Sequence, residues 1–320
     1  MLKPTRILLA ILGAWALATS AQAQEVTPAI AGVVNAGTKV ELIKEGFNGT
    51  EGPVALPDGT FAFTETTANR ITRIAADGST STFLDNSNGS NGLGFTANGD
   101  LYAVQVLKPR VGIVYPPDKA KVLVEQFEGK AFGRPNDLVV TPQGTVYFTD
   151  SGAAPNAQPK PDPATVNKPA VYQITPTGEV RRLANDIERP NGIQLSPDNK
   201  VLYVANTAGE HVLAFDIAAD GSVGPRRNFA KLEGWRKTDT GTSSGADGLA
   251  VDAKGRVYVA SSAGIQVFSN QGEALGTIPL PKAPQNLAFA GPDKKTLYVV
   301  GRGSAYKIAV LTPGVAGRAK

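Results

Sequence analysis

Asn191-Gly-Ile-Gln-Leu-Ser-Pro-Asp-Asn-Lys-Val-Leu-Tyr203 reads as a β-hairpin: a polar first residue, a short apolar run, a Pro/Asp/Asn turn and a second run ending in an aromatic. The pattern recurs five more times. The other copies are Glu51-Gly-Pro-Val-Ala-Leu-Pro-Asp-Gly-Thr-Phe-Ala-Phe63, Asn91-Gly-Leu-Gly-Phe-Thr-Ala-Asn-Gly-Asp-Leu-Tyr102 and Asn136-Asp-Leu-Val-Val-Thr-Pro-Gln-Gly-Thr-Val-Tyr147. Asp247-Gly-Leu-Ala-Val-Asp-Ala-Lys-Gly-Arg-Val-Tyr258 and Asn286-Leu-Ala-Phe-Ala-Gly-Pro-Asp-Lys-Lys-Thr-Leu-Tyr298 complete the set. Their first residues lie 39 to 56 positions apart. That range brackets the period of about 40–50 residues found in four-stranded propeller blades.

A third strand is expected in each copy, at Arg70–Ile74, Val111–Tyr115, Ala170–Thr175, His211–Ile217, Gly264–Phe268 and Ala305–Val310. A fourth follows in five of them, at Thr80–Leu84, Lys121–Phe127, Glu179–Leu183, Arg227–Lys231 and Ala274–Leu280. The sixth copy has only a polar tail after Val310, whereas Lys39–Lys44 alternates like a strand with nothing to pair with. Ring closure answers both: the N-terminal strand becomes the outer strand of the last blade, and the sheets keep no long open edge. No stretch beyond the leader sustains a 3.6-residue apolar period, which argues against βα barrels and doubly wound sheets. The expected fold is all-β, a six-bladed β-propeller of four-stranded antiparallel blades, with residues 24–320 as a single domain. Thirty-five glycines and 23 prolines suit so many tight turns.

The first 23 residues read as a secretory leader: Lys3 and Arg6, an apolar run from Ile7 to Ala18, and the small-residue site Ala21-Gln22-Ala23. Export to the periplasm or medium is therefore expected, with no membrane association after cleavage. Losing Lys3 and Arg6 lowers the formal net charge from +4 to +2. The remaining basic pairs are scattered, with no basic cluster interleaved with aromatics, so nucleic acid is not an expected partner. The absence of cysteine excludes disulfides, thiolate metal sites and cysteine nucleophiles. A single histidine, His211, excludes centres built from two or three imidazoles. Gly241-Thr-Ser243-Ser-Gly245 has the letters of a nucleophile elbow without the strand before or the helix after, and His211 precedes it, against the usual order. Two long connections, proline-rich Ser151–Pro169 and polar Leu232–Ala246 with Trp235 and Arg236, should emerge on one face and rim one opening.

The repeat starts each inner strand, beside the axis, with Glu51, Asn91, Asn136, Asn191, Asp247 and Asn286. All six carry a side-chain oxygen. Six oxygens with no sulfur or imidazole describe a site for a hard cation. Calcium suits it best because it accepts 6–8 oxygens in loose geometry; zinc, manganese and magnesium are the alternatives. Glu51 and Asp247 would neutralise the ion, the amides would fill its sphere, and Asp137 could add a carboxylate. Channel-lining asparagines that bind only water are the competing reading, and it weighs most for Asn91 and Asn286.

Glu51-Gly-Pro, Arg134-Pro-Asn136-Asp137, Arg189-Pro-Asn191-Gly and Ala246-Asp247-Gly-Leu resemble the marks of the gluconolactonase/regucalcin (senescence marker protein) family, from about Val40 to Val310. The resemblance implies a six-bladed propeller with a catalytic divalent cation, usually calcium, in the channel. It implies Glu51, Asn191 and Asp247 as metal ligands, Asn136 as a fourth ligand or a substrate contact, and Arg134 as a residue that orients the substrate. The proline-rich Ser151–Pro169 loop departs from sugar-lactonase patterns. The function expected is an exported metal-dependent hydrolase opening a lactone, with the cation as Lewis acid. Asp247 is the expected base, and Asp137 the second candidate. The alternatives are a phosphotriesterase-like or other ester hydrolase on the same scaffold, or a non-catalytic binding propeller with a structural calcium.

Overall fold

The computed structural model describes residues 25–96, 98–154, 159–239 and 241–320; the expected leader, 1–23, lies outside the described residues. Six four-stranded antiparallel sheets form a six-bladed propeller. Among the described residues the only helix is the single 3₁₀ turn Pro117–Lys119. Blade 1 comprises Thr50–Ala55, Phe61–Glu65, Arg70–Ile74 and Thr80–Asp85, and blade 2 comprises Ser90–Phe95, Leu101–Gln105, Arg110–Tyr115 and Lys121–Val124. Blade 3 is Pro135–Val140, Val146–Asp150, Ala170–Ile174 and Val180–Ala184; blade 4 is Pro190–Leu195, Val201–Asn206, His211–Asp216 and Arg227–Lys231. Blade 5 is Leu249–Val251, Val257–Ser261, Gly264–Phe268 and Ala274–Ile278. Blade 6 takes three strands from the end of the ring, Asn286–Ala290, Thr296–Gly301 and Ser304–Ala309. Its fourth is the N-terminal strand Glu41–Glu45, paired antiparallel with Ser304–Ala309.

The apolar side chains divide into six clusters, one at each blade-to-blade interface. Leu202 and Val204 point toward blade 3 while Tyr203 and Ala205, on the same strand, point toward blade 5. Two-residue alternation thus feeds two different cores, and the middle strands carry apolar runs instead of a polar face. Burial falls outward: the inner strand of blade 4 is wholly buried, whereas its outer strand Arg227–Lys231 is largely exposed. Because each core is a wedge between sheets, the axis itself is left free for polar groups.

The two long connections behave differently. Leu232–Ala246 contains a small hairpin, Arg236–Thr238 with Gly241–Ser243, so Ser243 sits in a strand pair and not in a strand-to-helix turn. Ser151–Pro169 returns to the segment before blade 3 through a parallel bridge between Ala131 and Val166. His211 begins the third strand of blade 4, opposite Lys231 and away from the axis.

Candidate functional site

Register defines the channel. The second strands pair Ala62 with Val54, Tyr102 with Gly94, Tyr147 with Val139, Tyr203 with Gln194, Tyr258 with Ala250 and Tyr298 with Ala288. Counting three residues back along each inner strand gives Glu51, Asn91, Asn136, Asn191, Asp247 and Gln285. Counting two back gives Gly52, Gly92, Asp137, Gly192, Gly248 and Asn286. Two layers therefore line the axis, the upper one polar throughout and the deeper one made of glycines with Asp137 and Asn286. Asn286 belongs to the deeper one, one residue below its expected level, because the turn of blade 6 is longer than the others. The upper position of that blade is held by Gln285, which the sequence pattern did not single out.

The glycines of the deeper layer are there because the strands converge. A Cβ on Gly52 would stand 1.8 Å from the carbonyl oxygen of Asn91, and one on Gly192 would stand 2.2 Å from that of Asp247. Adjacent blades are stitched where their inner ends approach: Gly192 N donates to Asp247 O at 3.0 Å, Gly248 N to Gln285 O at 2.8 Å, and Thr149 Oγ1 of the second strand of blade 3 to Asn191 O at 2.6 Å. Asp137 and Asn286 replace glycine in blades 3 and 6. Each accepts the next backbone N–H on its own Oδ1, from Leu138 and Leu287 respectively, both at 2.9 Å.

In the upper layer Asn91, Asn136 and Asn191 are buried, and the Oδ1 of each has no hydrogen-bond partner. Buried carbonyl oxygens are rarely left so. The orientation of Asn191 is fixed: its Nδ2 donates to Thr207 Oγ1 at 3.0 Å, and Thr207 donates in turn to Ala246 O at 2.7 Å. With the amide nitrogen committed, the oxygen remains free to meet a cation. Glu51, only 9% exposed, accepts Asn286 Nδ2 at 3.3 Å and Gln285 Nε2 at 3.5 Å. Asn286 thus turns a nitrogen, not an oxygen, toward Glu51, and supports that carboxylate. Asp247 is recessed but keeps some solvent contact.

The electrostatics ask for positive charge. Burial, then the charge of Asp137, pushes the Glu51 carboxyl up from 4.5 to about 7, against smaller opposing effects of Asn286, Lys320 and Arg134. Asp247 is raised well above the usual carboxylate range by burial and by the charges of Glu51 and Asp137, with Arg302 and Arg189 opposing. Asp137 is fully buried, and its second oxygen is ion-paired with Lys320. Arg134 lies at the opening, held by its backbone N–H on Asp150 Oδ1 (2.7 Å), and its buried Nε has no partner. Asp150 also accepts Gly133 N and Gly152 N, so it fixes the turn that presents the guanidinium.

Among the described residues no three His, Cys, Asp or Glu side chains group as metal ligands. The donor set is instead two carboxylates completed by amide oxygens. Three unpartnered amide oxygens beside two mutually repelling carboxylates fit a hard divalent cation, and they fit calcium better than metals that prefer nitrogen or sulfur.

A family model described as SMP-30/Gluconolactonase/LRE-like region matches residues 49–302. A gluconolactonase from Zymomonas mobilis is 28% identical over 309 residues, spanning 90% of this chain and 86% of the relative. Human regucalcin is 29% identical over 187 residues, 56% of this chain and 58% of that protein. The solved structure of a gluconolactonase from Xanthomonas campestris superimposes with a TM-score of 0.75 at 24% identity, over 89% of this chain and 94% of that one, a likeness of fold.

Proposed function

Because this chain belongs to the SMP-30/gluconolactonase/LRE-like family, we propose that it is a lactone hydrolase, opening its substrate at a divalent cation held by Glu51, Asn136, Asn191 and Asp247. The observation that carries the reading is the pairing of two repelling carboxylates with unpartnered amide oxygens in one buried ring. Similarity to a gluconolactonase along nearly the whole chain supports the reaction class.

When bound, the cation supplies Lewis-acid polarisation of the lactone carbonyl. The protein's own groups do the rest. Asn136 and Asn191 present amide oxygens, and Thr207 keeps the Asn191 amide from turning. Asp247 keeps solvent contact and has no ion pair among the described residues, so it accepts the proton of the water that attacks the carbonyl carbon and returns it to the ring oxygen as the acyl C–O bond breaks. Asp137 is less suited to that task, because Leu138 N and Lys320 occupy both of its oxygens. Arg134, at the opening, orients substrate hydroxyl groups through directional N–H donors. The leader read in residues 1–23 supports action outside the cytoplasm.

A pH-indicator assay over sugar and aliphatic lactones tests this, with protein stripped by chelator and then reloaded. Acid release that disappears on stripping and returns with calcium is the expected result. Calcium binding without turnover on any lactone would replace this reading by that of a binding propeller.

A further inference from the structure

The segment 312–320 does more than end the ring. It crosses the face that carries the first turn of each blade, at the far end of the inner strands from Arg134. Ala253 N donates to Pro313 O at 2.8 Å and Gly314 N to Lys294 O at 3.0 Å, across blades 5 and 6. Arg318 donates to Leu195 O at 2.6 Å, to Ser196 O at 2.9 Å and to Asn199 Oδ1 at 2.7 Å, all in blade 4. Ala55 N of blade 1 donates to Ala319 O at 2.7 Å, and Gln194 Nε2 to Lys320 O at 3.3 Å. So anchored, the segment delivers Lys320 into the channel floor. Its ammonium pairs with Asp137 Oδ2, where the lysine is 3% exposed and the aspartate 0%.

Charge count gives this contact its meaning. Glu51, Asp137 and Asp247 place three carboxylates within one channel. Lys320 is the only lysine buried among the described residues, and it pairs with the carboxylate of the deeper layer. Arg134, Arg189 and Arg302 all keep solvent contact, where water screens them. Among the described residues Asp137 is thus the channel carboxylate held in an ion pair, while Glu51 and Asp247 have none, the two a divalent ion would meet. The neighbouring charges act in the same sense: Asp137 raises the Glu51 carboxyl and Lys320 lowers it.

We propose that Lys320 is a built-in counter-ion: by neutralising Asp137 beneath the ring it leaves Glu51 and Asp247 as the uncompensated pair, and so sets the site's preference for a divalent over a trivalent cation. Lys320 is on this account a positioning residue that never touches substrate. The inference rests on the cation reading of the ring above it.

The test is the ratio of terbium to calcium affinity, measured by calorimetry on chelator-stripped full chain at constant pH. Lys320→Met is expected to raise the preference for terbium by roughly tenfold or more, since each added unit charge favours the trivalent ion. Lys320→Arg should restore the parental ratio. Asp137→Asn, which keeps the ammonium and removes its partner, should shift the ratio the opposite way, and it serves as the readout if Lys320→Met fails to fold. The double variant Asp137→Asn/Lys320→Met should return to near the parental ratio, because the net charge is again the same. Variants that melt earlier but keep the parental ratio would show a merely structural pair and overturn the proposal. A parent chain that binds neither ion would instead remove the cation reading on which the proposal stands.

Discussion

Glu51→Gln is expected to lower kcat/KM for lactone opening by about 10³-fold or more, and at the same time to raise the melting temperature of the metal-free protein. The two effects come from one cause. In the folded chain the Glu51 carboxylate is buried, and it stands within the field of Asp137. Removing its charge takes away half of the neutralising pair a divalent ion needs, and also relieves a burial the empty ring pays for. Asp247→Asn should behave alike, because burial and Glu51 raise that carboxyl as well. Lactone turnover and thermal unfolding with and without calcium would be measured side by side. In the variants, calcium should no longer add stability. Parental turnover in either variant would remove both carboxylates from the site.

The metal-free chain should also lose stability as pH rises between about 4.5 and 7, the window set by the shift of Glu51. A carboxyl whose folded-state pKa is raised binds more protons folded than unfolded across that window, so folding is favoured at its acid end and progressively less toward neutrality. Asp247, raised in the same direction, adds to the slope. Calcium should reverse it. Bound only by the folded state and present at 1,000 times its dissociation constant, it would contribute about 4 kcal/mol. Denaturant titrations at a series of pH values, with chelator and with calcium, measure both slopes. A metal-free stability that climbs between pH 4.5 and 7 would contradict the electrostatic account of the ring.

The fold was legible because the repeat carries turn chemistry and strand composition together. Tyr102, Tyr147, Tyr203, Tyr258 and Tyr298 each mark a second strand, and the orphan strand before Glu51 announced the closure. Blade 6 was misplaced by one residue for a local reason. Its Gly291–Lys295 turn is longer, so counting from the polar residue picked Asn286, whereas counting back from Tyr298 and its partner Ala288 picks Gln285. The deeper layer was less visible. A glycine after Glu51, Asn91, Asn191 and Asp247 is plain in the sequence, but the crowding of neighbouring strands that requires it at Gly52 and Gly192 is not. The pairing of Asp137 with Lys320 spans 183 positions and has no local signal, since the tail reads as a polar end with nothing to pack against. Its partner Asp137 was nevertheless singled out, as a carboxylate next in sequence to Asn136.

A crystal structure of the chain grown with calcium addresses the central claim most directly. The account predicts one ion in the upper layer, with carboxylate oxygens of Glu51 and Asp247 and amide oxygens of Asn136 and Asn191 at about 2.3–2.6 Å, and the Lys320–Asp137 pair intact beneath it. A ring filled only with water at saturating calcium, its amide oxygens bonded to those waters, would contradict it.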